Sequence, residues 1–187
     1  LKAEAYVSLK NYTAASQQYE NYLSLQPEEA SSEVKYRLGY SLYKSGEGYK
    51  SLRYFKELAL QNNLLAQLSS YYMGLTYLRM GQKNLALTAL DQARQQNFLP
   101  EIQAEACFQY AQINYELGNL KKAIEALEKF KTSYPTSPHI LTVNNLLSQV
   151  YIHTNDYDLA IRHIEKLTEK SKPILQVYQK ATFYKGS

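Results

Sequence analysis

The residues best suited to chemistry in this chain are few and scattered. At 46–51, GEGYKS brings glycines together with a lysine and a serine, the types that wrap and neutralise a phosphate. A phosphate-binding loop needs G-x-x-x-x-G-K-[ST] directly after a strand, so that successive amides point at the anion. Here Tyr49 stands before Lys50, no strand pattern precedes the segment, and it aligns with the stretches around Gly81 and Gly118. An interhelical turn is expected there instead. His153, Asp156 and His163 form a second group, with the ligand types of a divalent metal. Metal ligands on a helix stand four apart on one face. His153 should instead end one helix, Asp156 lie in the turn, and His163 point to solvent beside a buried Ile164. No metal or other cofactor is expected. Cys107 is the one cysteine, so it forms no internal disulfide, and no neighbouring base or cation marks it as reactive. Neither G-x-S-x-G nor H-E-x-x-H occurs, and the chain is not expected to be an enzyme.

The elements that position these residues should be helices. Forty-five per cent of the 187 residues are hydrophobic, enough for a packed core. Seven glycines and five prolines are few, and Leu, Ala, Gln, Lys and Glu, which favour helix, are frequent. There are 19 tyrosines and no tryptophan; tyrosine suits half-buried faces as well as cores. The net charge of +4 comes from 21 basic and 17 acidic residues, interspersed as on a solvated helical surface. Only the end tilts basic, with Lys166, Lys170, Lys172, Lys180 and Lys185 against Glu165 and Glu169. Without an arginine-rich stripe or a nucleic-acid motif, nucleic acid is not the expected partner. No apolar run reaches the length of a membrane span.

Set against itself, the chain repeats. Ala15, Ser51, Ala86, Ala123 and Ala160 are separated by 36, 35, 37 and 37 residues. Ala3, Gly39, Gly74, Ala111 and Ser148 keep the same four spacings. Two landmarks in one register mark stacked supersecondary units, each a helix, a short turn and a second helix. In the third unit Gly74 and Tyr77 share a face of the first helix, Gly81 supplies the turn, and Ala86, Leu90 and Ala93 line the second. The small residues let the two helix backbones approach, and the large ones fill the groove between them. Pro27, Pro100, Pro135, Pro138 and Pro173 fall between units, where a missing N–H does least harm.

This pattern resembles that of tetratricopeptide-repeat (TPR) proteins, with W-x2-L-G-x2-Y, then A-x3-F, then P. Leu38-Gly39, Met73-Gly74 with Tyr77, Ser51 with Phe55, Ala86 with Leu90, Ala123 with Leu127 and Ala160 with Ile164 carry it, as do Pro27 and Pro135. The departures are the missing tryptophans, Leu42 and Asn114 in place of tyrosine, and a period above the usual 34 or so residues. The resemblance implies an all-α solenoid, five helix-turn-helix repeats plus an eleventh helix, wound as a right-handed superhelix. The repeats fall at about 1–28, 29–63, 64–99, 100–136 and 137–171, with a further one starting at 172–187. Cys107, at the place of the motif tryptophan, should be a small buried thiol. The last helix carries Ile174, Val177, Tyr178, Ala181 and Tyr184 without a following partner, which suggests a piece of a longer solenoid. YENYLSLQPEEASSEVKYRLGYSLYKSG (19–46) and EKFKTSYPTSPH (128–139) are also similar to the repeats of bacterial envelope TPR proteins, of the outer-membrane-assembly lipoprotein or Tol–Pal-associated type. That likeness implies a periplasmic or outer-membrane-attached protein, with a cytoplasmic one as the alternative.

In TPR proteins the stripe at −3, +1 and +4 from the small residue of each first helix faces the concave groove. Here it reads Tyr36, Tyr40 and Tyr43; Tyr71, Leu75 and Leu78; Phe108, Gln112 and Tyr115; then Asn145, Gln149 and Ile152. Lys44 and Arg79 stand one residue further along. Such a surface suits an extended or helical peptide, so a protein or peptide partner is expected. For Tyr36, Tyr71 and Phe108, packing between neighbouring first helices is an equal alternative. The basic clamp of some chaperone-binding TPRs has only Arg37 to represent it. A second expectation is an envelope module for peptidoglycan or another glycan, which tyrosine-rich surfaces also serve.

Overall fold

The structure, a computed structural model, describes residues 2–26 and 31–186. Pro27, expected to end the first repeat, lies outside them. The described residues form eleven α-helices and no strand. They are α1 (Lys2–Ser8), α2 (Tyr12–Leu25), α3 (Ser32–Lys44), α4 (Gly48–Leu58), α5 (Leu64–Arg79), α6 (Lys83–Gln95), α7 (Pro100–Glu116), α8 (Leu120–Ser133), α9 (Ile140–His153), α10 (Tyr157–Glu165) and α11 (Lys172–Gly186). They pack as two compact units that divide within α7, after Ala106.

In the first unit α1 pairs with α2, α3 with α4, and α5 with α6. The small residues sit where the helices of a pair meet. Ala15, Ser51 and Ala86 are fully buried, and so are Ala123 and Ala160 in the second unit. Ser51 replaces alanine without a polar penalty because its hydroxyl donates to the Gly48 carbonyl at 2.8 Å. Gly74 shows why no side chain is tolerated on its face. A Cβ built there would stand 2.6 Å from Leu90 Cγ. The core at the start of the chain joins Ala3, Ala15, Tyr19, Leu38 and Leu42. In the second unit Leu127, Phe130, Val143, Leu147, Val150 and Ile164 form the core, and α11 covers it with Ile174 and Ala181.

The turns keep one geometry in all five pairs. Lys10, Gly46, Gly81, Gly118 and Asn155 all have positive φ, between 57° and 91°, and they too are spaced by 36, 35, 37 and 37 residues. The next amide reaches back five residues to close each helix: Asn11 to Tyr6, Glu47 to Leu42, Gln82 to Tyr77, Asn119 to Asn114 and Asp156 to Tyr151, at 2.8–2.9 Å. This left-handed cap satisfies carbonyls that the helix end would orphan. Gly46 is therefore a turn residue and Gly48 opens α4, so GEGYKS builds no phosphate cradle. Lys50 pairs with Glu47 at 3.1 Å. Side chains cap several starts: Asn11, Ser31, Asn63 and Asp156 each accept the amide three residues on.

Candidate functional site

The expected groove residues divide between the units. Tyr36, Tyr40, Tyr43, Lys44, Tyr71, Leu75, Leu78 and Arg79 lie in the first unit, on α3 and α5. Helical phase brings Tyr36 and Tyr40 over one another, one turn apart, with ring centroids at 6.3 Å. Because α3 and α5 pack side by side, these rings meet the tyrosines of α5. Tyr72 is the centre of the cluster, at 5.0 Å from Tyr40, 5.3 Å from Tyr43 and 5.3 Å from Tyr71, and it also touches Tyr36 and Phe55. Tyr12, at the start of α2, stands edge-on to Tyr40 at 5.9 Å. Edge-to-face and offset contacts of this kind suit the ring quadrupole, so the cluster holds its shape without a ligand.

Tyr72 was not among the expected residues. It stands two before Gly74, off the −3, +1, +4 stripe, and the signal for it was the Tyr71-Tyr72 pair itself. Tyr43 needs the opposite correction. It is 6% exposed, with the Arg79 guanidinium 3.9 Å above its ring, so it belongs to the core and offers no contact surface. Arg79 also donates to the Tyr43 carbonyl at 3.0 Å, closing the end of α3. Lys44 remains exposed, with its Nζ 5.7 Å from the centres of both the Tyr12 and Tyr40 rings. Arg37 is not free for a carboxylate ligand, because Glu4 and Glu33 each take one of its amino groups at 2.6 Å. Tyr36, Tyr40, Tyr71, Tyr72, Leu75 and Leu78 stay half-buried, each with part of its surface on solvent.

Burial keeps these phenols neutral. It raises Tyr71 to about 12, helped by the charges of Glu105 and Tyr43. It pushes Tyr36 and Tyr72 up as well, with neighbouring tyrosines adding to the effect. Near neutral pH the face therefore presents ring area, hydroxyl donors and acceptors, and a cationic rim at Lys44.

In the second unit Phe108 is 6% exposed and stacks flat on His139 at 4.0 Å. Of its two expected roles, it takes that of packing. Gln112 and Tyr115 are half-buried. The Tyr115 hydroxyl donates to Gln149 Oε1 at 3.0 Å, and its ring stacks on His153 at 5.9 Å. Tyr115, Gln149 and His153, with Ile152, Gln176 and Lys180, line a hollow of about 250 Å³. It is more polar than the tyrosine cluster.

The three residues of the notional metal set go separate ways. His153 is held on Tyr115, and Asp156 caps α10. His163, expected in solvent, is 7% exposed. Its Nε2 lies 3.3 Å from the Asn144 carbonyl and its Nδ1 3.3 Å from Lys131 Nζ. A carbonyl can only accept and an ammonium only donate, so the proton sits on Nε2 and the ring is neutral. Burial first, then the charge of Lys131, depress its pKa. Among the described residues, no three His, Cys, Asp or Glu gather as metal ligands. Cys107 also departs from expectation: it is half-exposed, with the Tyr134 hydroxyl beside it.

Comparison with known proteins agrees with this architecture. Tetratricopeptide-repeat models match residues 71–138 and residues 1–29 and 141–169, together well over half the chain. No match is found among curated proteins. Among solved structures, MamA superposes with a TM-score of 0.71 at 20% identity, covering 97% of each chain. MamA from Desulfovibrio magneticus RS-1, residue 41 to the end, gives 0.67 at 19% identity over 95% of this chain and 92% of that one. YrrB, described as a TPR protein with an unusual peptide-binding site, gives 0.68 at 18% identity over 99% and 89%. At such identities the likeness speaks for the fold, and with the repeat matches it leads to one assignment: the chain belongs to the tetratricopeptide-repeat family.

Proposed function

We propose that this chain is a non-catalytic scaffold that binds a protein or peptide segment on the α3–α5 face of its first unit. The observation that carries this reading is the tyrosine cluster. Tyr36, Tyr40, Tyr71 and Tyr72 are pre-ordered by their own ring contacts yet keep part of each ring on solvent. Pre-ordered aromatics lose little entropy on binding, and such residues dominate interface energies. Leu75 and Leu78 extend the apolar area, and Lys44 favours a segment carrying an acidic residue. The peptide-binding site of YrrB supports the same kind of partner. The hollow between Tyr115, Gln149 and His153 would be a second, more polar contact for the same class of ligand.

A glycan ligand is the alternative. Sugars stack on flat, open rings, whereas Tyr40 is met edge-on by both Tyr12 and Tyr72 and has a lysine over its ring. That arrangement favours the peptide. The envelope location is part of the proposal and rests on the repeat resemblance alone.

The test is selection of peptides from a random display library on the immobilised chain, followed by titration of the best peptide. Tyr40→Ala and Leu75→Ala should each weaken it by about tenfold, a loss of roughly 1–2 kcal/mol, with unchanged circular dichroism. Equal affinity for wild type and both variants would remove the face from the interaction. Saturable binding of a peptidoglycan fragment, abolished by Tyr40→Ala, would favour the glycan.

A further inference from the structure

A different set of side chains meets on the second helices of the second unit. Between α8 and α10 lies a surface cavity of about 360 Å³, lined by Glu128, Lys131, Tyr151, Arg162, His163 and Lys166. With His163 neutral, its lining carries three cations and one carboxylate. That carboxylate is already engaged, since Glu128 accepts the Tyr151 hydroxyl at 2.5 Å. Among the described residues, Lys131, Arg162 and Lys166 close no ion pair.

The hold on Lys131 is the unusual feature. A partly buried lysine is normally fixed by a carboxylate, which also cancels its charge. Here the fixing group is neutral. The Asn144 carbonyl accepts from His163 Nε2–H, which leaves the Nδ1 lone pair to receive a proton of Lys131. This chain of bonds orients the ammonium without a carboxylate bonded to it. Arg162, on α10, and Lys166, the residue that caps its end, add donors at the same cavity. Lys131, Arg162 and Lys166 thus present charged N–H donors to one cavity, the arrangement that binds an oxyanion.

We infer that the α8–α10 cavity is an oxyanion site, which takes a phosphate or carboxylate group on Lys131, Arg162 and Lys166. This site shares no residue with the tyrosine face, and it does not rest on the peptide-binding reading. Phosphate and carboxylate share the chemistry; the source is either a free anion or an acidic group on a partner polypeptide.

The experiment uses the isotope-labelled full chain and follows the His163 ring and the amides of α8 and α10 by NMR. Inorganic phosphate, a short peptide with one phosphoserine, and sodium chloride at matched ionic strength are titrated separately. Phosphate and the phosphopeptide should give saturable shifts confined to these resonances, while chloride gives none. Arg162→Gln and Lys131→Gln should each weaken binding by about tenfold. Glutamine at 131 can still donate to His163, so the fold is kept. A phosphopeptide bound much more tightly than inorganic phosphate assigns the site to a partner polypeptide; equal affinities assign it to a free anion. Shifts reproduced by chloride, or undiminished in both variants, overturn the inference.

Discussion

Replacing Gly74 with alanine tests the packing at its tightest point. The added Cβ would meet Leu90 Cγ at 2.6 Å, Leu90 Cδ2 at 2.9 Å and the Ala86 carbonyl at 3.5 Å. Ordinary carbon contacts lie near 3.5–4.0 Å, so Leu90 would have to retreat by about 1 Å. It has nowhere to go, because it is fully buried and its neighbours Ala86, Ala89 and Ala93 are too. Overpacking of this kind costs about 1–3 kcal/mol, and so direct a clash belongs at the upper end. Alanine returns about 1 kcal/mol through its better helix propensity. The net loss is then about 2 kcal/mol, which lowers a urea midpoint by roughly 1 M at an m-value near 2 kcal/mol/M. The sign should reverse once Leu90 is gone. In the Leu90→Ala background the same change meets no side chain and should stabilise by about 1 kcal/mol. Urea titrations of the four proteins, followed by circular dichroism, decide it. If Gly74→Ala shifts the midpoint equally in both backgrounds, the small residue is not a spacer for Leu90 and the helix-pair reasoning fails.

Three further outcomes follow from the structure. Lys10 is an exposed non-glycine residue at φ 57°, so Lys10→Gly should raise stability by about 1 kcal/mol in a denaturation titration, and no gain would refute the strain argument. Ala123→Leu, at a fully buried contact between helices, should cost about 1–3 kcal/mol and melt earlier than wild type. His163 is held below its ordinary value of 6.5 by burial and by Lys131, with Lys166 adding to this and Glu128 and the Asn144 carbonyl opposing it, while Arg162 and Tyr151 stand nearby. The unfolded chain therefore takes up a proton near pH 6.5 that the folded one refuses. Stability should be full above that pH and fall as the pH drops below it, by up to about 1.4 kcal/mol per pH unit, and His163→Gln should flatten the fall.

The fold was legible because its determinants are local. Two small positions in one register require two helices to touch at fixed places, and that requirement is written into the spacing. The turns were only half legible. Gly46, Gly81 and Gly118 announce positive φ, but Lys10 and Asn155 adopt it as well because the register forces them. Faces were harder than helices. Helical phase says which side a residue is on, not what crosses above it. His163 looked solvent-facing, yet it stands three residues after Ala160, where Ala89 is buried and Gln18, Tyr54 and Ala126 are half-buried. The two alanines there were the missed signal. Tyr43 was expected to offer its ring to solvent, but the Arg79 guanidinium stands over it, and between the two roles open to Phe108 the His139 ring stacked on it decides for packing. Long side chains reach across residue spacings, so such covers cannot be read from periodicity.

Binding of a partner segment on the tyrosine face can be tested at the contact itself. The most direct measurement is photo-crosslinking of the selected peptide to chains carrying a benzophenone amino acid at Leu75 or, separately, at Arg53, an exposed residue of the second helix α4. A crosslink is expected from position 75, competed by unlabelled peptide, and none from position 53. A competed crosslink from position 53 with none from position 75 would contradict it and move the interaction to the second helices.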